Sequence, residues 1–284
     1  MHNLALTPSE SYFLLDIENK DGKGMMKYSL INLLYKNVLN SQVREVSEGT
    51  IFKKVIKKTY LSKGTRFNSI ELKAHEKIFC SAISEKDEIE LVEFLKIIFE
   101  QYNYDNYYEL IEKMQSQSGL INLTEERKFF NIFSKKKKVL TSDGIDTQTK
   151  INDILAIGKN NLDNWILNDP HRAKAFMAAC GANLLLLDGH DIAILKSYEH
   201  KLKDIDKKDY EDYGFIYWLD DSVHASDDVN LEDISNLDAV PNYFNSVSAF
   251  DTFDGLDAGF DNASGGDGGG CSGCGGCGGC GGGG

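Results

Sequence analysis

Asp21-Gly22-Lys23-Gly24-Met25-Met26-Lys27-Tyr28-Ser29-Leu30-Ile31-Asn32-Leu33-Leu34 is the stretch on which the fold turns. Its first four residues hold two glycines and an Asp, a turn signature. From Met25 the apolar residues Met26, Leu30, Ile31, Leu33, Leu34 and Val38 recur near i, i+3/i+4, i+7, the spacing of one helical face. Before the turn, Ser9-Glu10 opens a helix through Tyr12, Phe13, Leu14, Leu15 and Ile17. After it, Gln42-Val43-Arg44-Glu45-Val46 alternates like a short strand. Ile51 to Leu61 fits either a strand or a helix, and its paired apolar and basic residues fit a helical face slightly better. Helix, turn, helix and a short β segment within about 55 residues predict a small winged-helix-like unit over 7–66.

The next stretch repeats the plan. Ser69 to Ile83 reads as a helix, and so does Glu88 to Tyr102, which carries acids in its first turn as the helix dipole prefers. Tyr107 to Met114 continues helical. Leu123-Thr124-Glu125-Glu126-Arg127 reads as a Thr cap ahead of an acidic first turn. Lys135–Lys138 leads into Val139-Leu140-Thr141-Ser142-Asp143-Gly144 as a basic edge strand ending in a turn, and Thr147 to Ile157 is helical. These predict a second helical, winged-helix-like unit over 67–160. A helical segment over 161–219 follows. Asn168-Asp169-Pro170 supplies a cap and a proline at the first helical position, and that helix runs through Phe176, Met177, Cys180 and Leu184 to Leu187. Asp188-Gly189-His190-Asp191 breaks it, and Ile192 to Leu202 forms another helix. Phe215 to Leu219 is a last apolar anchor expected to pack back on the body. The fold class expected is therefore mainly α with short β hairpins.

Charge divides the chain sharply. Of 44 acids and 31 bases, the residues from Asp204 onward hold 17 acids and 2 bases, which leaves 27 acids and 29 bases for residues 1–203. A near-neutral body thus carries an acidic tail. Residues 220–284 set lone aromatics (Tyr243, Phe244, Phe250, Phe253, Phe260) among Ser, Asn, Asp and Gly, a composition expected to remain disordered. Docking of the acidic tail on basic patches of the body competes with the blander reading of solubility.

Four of the six cysteines, Cys271, Cys274, Cys277 and Cys280, lie one every third residue in a terminal run that is otherwise glycine and one serine. Overlapping Cys-x-x-Cys pairs allow two thiolates to reach one metal, so zinc, copper(I) or an iron–sulfur cluster are the candidate occupants. The run is similar to the bacterial ferredoxin spacing, but lacks its longer last gap and following proline. It also resembles the modified part of microcin-type precursors, in which Cys and Ser become azole rings; those have short leaders, whereas here about 270 residues precede the run. The remaining reading is a low-complexity interaction tail. Cys80 and Cys180 sit among apolar helical residues and are expected to be buried.

No secretory signal opens the chain, and the most apolar stretch, Ala173 to Leu195, is interrupted by Lys174, Asp188 and Asp191, short of the roughly 20 apolar residues of a membrane span. A cytoplasmic protein is expected. His190, between Asp188 and Asp191, is the only histidine placed like a general base, and a capping turn is the commoner role. The lysine runs Lys53-Lys54, Lys57-Lys58 and Lys135–Lys138 read as solvated faces, and the acidic whole argues against nucleic acid as a partner. Taken together, Leu6-Thr7-Pro8-Ser9-Glu10 with its following helices, Leu140 to Gly144 and the Gly/Cys tail resemble a set of uncharacterised bacterial proteins with a winged-helix-like helical body and a Gly/Cys-rich C-terminus. These are often membrane-anchored, and the resemblance implies no activity and no catalytic residues. The function expected is a non-enzymatic interaction or scaffold protein with a protein partner. The alternatives are a thiol protein acting through the four tail cysteines and a modified precursor.

Overall fold

A computed structural model of the chain describes residues 6–49, 54–126, 135–188, 192–202 and 253–264. It is mainly helical. α1 (Pro8–Leu15) starts where local chemistry dictates: Thr7 caps it, Pro8 occupies the first turn, and the Glu10 carboxylate accepts from the Thr7 backbone N–H. α2 (Gly22–Tyr35) is capped by Asp21, whose carboxylate accepts from the Gly24 N–H at 2.8 Å. Gly22 is required there because a Cβ would meet the Tyr104 carbonyl oxygen at 2.0 Å. Beyond Asn37, at φ +55°, the chain turns into β1 (Leu39–Glu48).

β1 pairs antiparallel with β2 (Lys54–Lys63), from Leu39 opposite Lys63 to Glu48 opposite Lys54. The helical preference for Ile51–Leu61 is therefore corrected from Lys54 onward. Val55, Ile56, Thr59 and Tyr60 are β-formers, and a strand here gains a full ladder with β1. β2 also pairs with β3 (Glu88–Glu90), Tyr60 facing Glu90, so the sheet order is β1-β2-β3. The stretch 67–160 thus contributes a strand to the sheet of 7–66.

α3 (Ala74–Ile83) begins five residues later than expected, behind Lys73, whose N–H is held by Glu76 at 3.0 Å. The single helix expected over Glu88–Tyr102 is instead β3 followed by α4 (Leu91–Phe99). α5 (Tyr104–Gln117) starts on an Asn103 cap. Leu123–Arg127, read as a helix start, belongs as far as Glu126 to a strand, β4 (Ile121–Glu126), paired with β5 (Lys135–Leu140). The register runs from Ile121 opposite Leu140 to Glu126 opposite Lys135, a ladder that a local capping reading misses.

α6 (Ser142–Asn168) runs 27 residues from a Thr141 cap, and α7 (Pro170–Cys180) starts on Asp169-Pro170 as the sequence predicts. Its expected continuation to Leu187 tightens into a 3-10 turn, Gly181–Leu186. α8 (Ile192–Leu202) keeps the predicted bounds. α9 (Phe253–Ser264) lies within the span expected to be disordered. The rest of 220–284 and the Phe215–Leu219 anchor lie outside the described residues.

One apolar core joins these elements, with Phe13, Met25, Met26, Leu30, Phe79, Phe94, Tyr107 and Phe176 at its centre. Among the described residues no helix is long and apolar enough to cross a membrane.

Candidate functional site

α4 determines where the acidic C-terminal region meets the body. Its residues Leu91, Val92, Phe94, Leu95, Ile97, Ile98 and Phe99 form a broad apolar face opposite exposed Glu93 and Lys96, and a face that wide needs more than one neighbour to cover it. The body covers one side, burying Phe94 and Ile98. α9 covers another. Its Leu256, Phe260 and Ala263, at i, i+4 and i+7, are all buried, and Phe260 stands edge-on to Phe99 with ring centroids 6.2 Å apart. Gly259 lets the two helices approach: a Cβ there would lie 2.9 Å from Leu91 Cδ2.

A charged rim flanks this apolar contact. Lys23 and Lys27, from the first turns of α2, reach up to α9. Lys23 Nζ lies 2.9 Å from Asp257 Oδ1 and 2.7 Å from Asp261 Oδ1, and Lys27 Nζ lies 3.0 Å from Asp257 Oδ1. Partial burial pulls the Asp257 carboxyl upward, but hydrogen bonds and charge from Lys23 and Lys27 outweigh it and hold it below its ordinary range. The same pairing outweighs desolvation at Lys23 and raises its ammonium above its ordinary value. Tail docking on a basic patch, the less favoured expectation, is thus what residues 253–264 do.

A second polar cluster lies inside the body, where α1, α2, α3 and α5 meet. Glu10 Oε2 accepts from Thr7 N–H at 2.8 Å, Thr7 Oγ1 at 3.0 Å and Lys73 Nζ at 2.5 Å, while Oε1 accepts from Gln115 Nε2 at 3.1 Å. Glu76 accepts from Asn32 Nδ2 at 2.7 Å, Lys36 Nζ at 2.9 Å and the Lys73 N–H. Burial raises the Glu76 carboxyl, but Lys36 and the hydrogen bonds outweigh it, and the net shift is downward.

His75, fully buried, sets its Nε2 3.1 Å from Thr7 Oγ1. Because the Thr7 hydroxyl donates its one proton to Glu10, the imidazole must donate from Nε2, which leaves Nδ1 as an acceptor with no partner among the described residues. Desolvation holds this histidine below its ordinary range. A cleft of about 350 Å³ beside the cluster is lined by Lys36, Lys73, Glu76 and Asn183. Its two ammonium groups are engaged by Glu76 and Glu10, so the lysines here serve the fold.

The sequence-predicted candidates fall elsewhere. Cys271, Cys274, Cys277 and Cys280 lie outside the described residues, as do His190 and Lys53. Among the described residues no group of three or more His, Cys, Asp and Glu is placed to hold a metal. Lys54, Lys57 and Lys58 lie on β2 and Lys135–Lys138 on β5. Cys180 is buried as expected, whereas Cys80 is only half-buried; desolvation still pushes its thiol up to about 12. The residues missed were Lys23, Lys27, Leu256, Asp257, Phe260 and Asp261. Their signal was present: Phe253, Leu256, Phe260 and Ala263 recur at helical spacing within the acidic span. No family model matches the chain, and no curated protein matches it.

Proposed function

We propose that the chain is a non-enzymatic interaction or scaffold protein, a body of winged-helix-like units that presents its Gly/Cys run beside a docked C-terminal helix. The observation that carries this reading is the seating of α9 on α2 and α4 through both apolar and charged contacts. It fixes a point of the chain seven positions before Cys271 against the body. The order α3, β3, α4, α5 and the β4–β5 hairpin supports the winged-helix description, with β3 paired to β2 where a self-contained unit would keep it for itself. The cytoplasmic location and bacterial source rest on the sequence alone.

The test compares the full chain with one ending at Asp267, which keeps α9 and loses the four tail cysteines. Both are produced in the native host, purified anaerobically and assayed for metal and for thiol cross-linking. The expected result is near-zero metal in both, with one recurrent protein cross-linked to the full chain only. Stoichiometric zinc, copper or iron confined to the full chain would establish the thiol-site alternative instead. An intact mass below that of the unmodified sequence would establish the precursor.

A further inference from the structure

We propose that the surface formed by Lys23 and Lys27 of α2 with Leu91, Leu95 and Phe99 of α4 is an exchangeable receptor for an acidic amphipathic helix of a protein partner, and that α9 is its tethered occupant. This deepens the interaction reading above by naming the surface and the chemistry of what it takes.

The occupant specifies the partner. α9 offers apolar side chains at i, i+4 and i+7, a glycine where the helices come closest, and carboxylates at positions 257 and 261. Each carboxylate meets an ammonium group of the receptor: Asp257 meets Lys23 and Lys27, and Asp261 meets Lys23. A partner helix repeating this pattern satisfies the same groups, in the manner of helix-in-groove recognition.

Three features make the occupant exchangeable. α9 is 12 residues long, at the margin of stability for a helix in water, so it depends on its seat. Its charged rim is partly exposed, with Asp261 at 66% and Asp257 at 32%, and pairs of that kind are screened by salt. The third is connectivity. Fifty residues of sequence, 203–252, separate α9 from α8, so no short connection ties α9 to its seat. A ligand carried on the same chain competes at an effective concentration of at most about a millimolar. If the untethered helix binds with a dissociation constant of about 10–100 μM, the tethered copy reduces the apparent affinity of a competitor by roughly 10- to 100-fold. The intact chain therefore admits only a tighter or more abundant helix.

The probe is a fluorescein-labelled peptide of residues 251–266, titrated by anisotropy against three full-length proteins: wild type, Leu256→Asp/Phe260→Asp, and that double variant with Lys23→Glu/Lys27→Glu added. The variant with a spoiled α9 is expected to bind the peptide at least about 10-fold tighter than wild type, because its receptor is vacant. Charge reversal of the two lysines is expected to cost about 10-fold again. Gly259→Trp, which displaces α9 by bulk instead of charge, should reproduce the gain. Equal binding to wild type and both vacated variants overturns the proposal, and so does absence of binding to folded vacated variants. Loss of cooperative melting in both also overturns it, since α9 would then be an integral core helix. Concentration-dependent dimers of wild type that dissociate in Leu256→Asp/Phe260→Asp overturn the partner assignment by making a second copy the occupant. None of these outcomes bears on the cross-linking of the tail cysteines, which tests the broader reading separately.

Discussion

Asp257 draws two lysines of α2 and Glu76 the lysine that caps its C-terminus, yet the two carboxylates belong to different kinds of interaction. Glu76 is 1% exposed and takes three donors, from Asn32, Lys36 and the Lys73 backbone. Its most distant partner is 44 positions away in sequence, so the site forms as the body folds. Asp257 is about one-third exposed, and its partners Lys23 and Lys27 lie more than 200 positions away. The first contact is held by burial: removing one member strands the others in a low-dielectric interior. The second sets charges that water can reach around the buried Leu256 and Phe260, and in the proposal above it opens while the body stays folded. Burial, more than the number of charges, separates a permanent contact from a removable one.

The sharpest way to break that comparison is Glu76→Ala. It leaves the Asn32 amide without its carboxylate and the Lys36 ammonium without its charge partner, and is expected to cost about 3 kcal/mol of global stability in denaturant melts. A loss under about 1 kcal/mol would mean that water already reaches the cluster. Next comes Phe260→Ala, expected to lower the free energy of α9 seating by about 2 kcal/mol. Hydrogen exchange of 253–264 should accelerate accordingly, while the melting of the body changes little. An equal loss in both would erase the distinction between the two regions.

The smallest effect is set by pH. His75 is held neutral in the folded body, below its ordinary value of 6.5. As pH falls past 6.5 the unfolded chain binds a proton that the folded chain does not, so stability declines, by at most about 1.4 kcal/mol per pH unit. Asp257 works over a lower window: its carboxyl is depressed from 3.8, so its contribution is intact above that value and is lost only as pH falls through the depressed one. Between pH 6.5 and 5 the body should therefore weaken while α9 keeps its place, as read by melting temperature and by exchange of 253–264. Replacing His75 with Gln should flatten the melting profile. Parallel weakening of the α9 contact would contradict the assignment.

Elements whose boundaries depend on neighbouring residues were legible in the sequence. The Asp169-Pro170 start of α7 and the bounds of α8 are of this kind, as is the alternation of Gln42–Val46 within β1. Elements decided by a partner far along the chain were not. Val55–Leu61 alternates too weakly to announce a strand until β1 and β3 lie on either side of it. Thr124-Glu125-Glu126 satisfies the rules for a helix start, and only the ladder with β5 makes it a strand. α9 was the hardest to see, because three buried side chains among Asp, Gly and Ser cannot sustain a helix alone. The better clue lay in α4, whose apolar residues exceed what one packing face can hide. The candidate site was thus half legible: its acidic occupant was visible as charge, but its receptor was not.

The place where α9 stops has a consequence for the thiols. Covalent geometry limits a chain to about 3.6 Å per residue. Measured from Leu202, the last described residue of α8, Cys271 is 69 positions away, a limit of roughly 250 Å. Measured from Ser264 it is seven positions, a limit of about 25 Å. Seating or releasing one short helix therefore changes the radius that the first cysteine can sweep by about tenfold. The contact between α9 and α4 thus sets how far from the body a residue a few positions beyond it can lie.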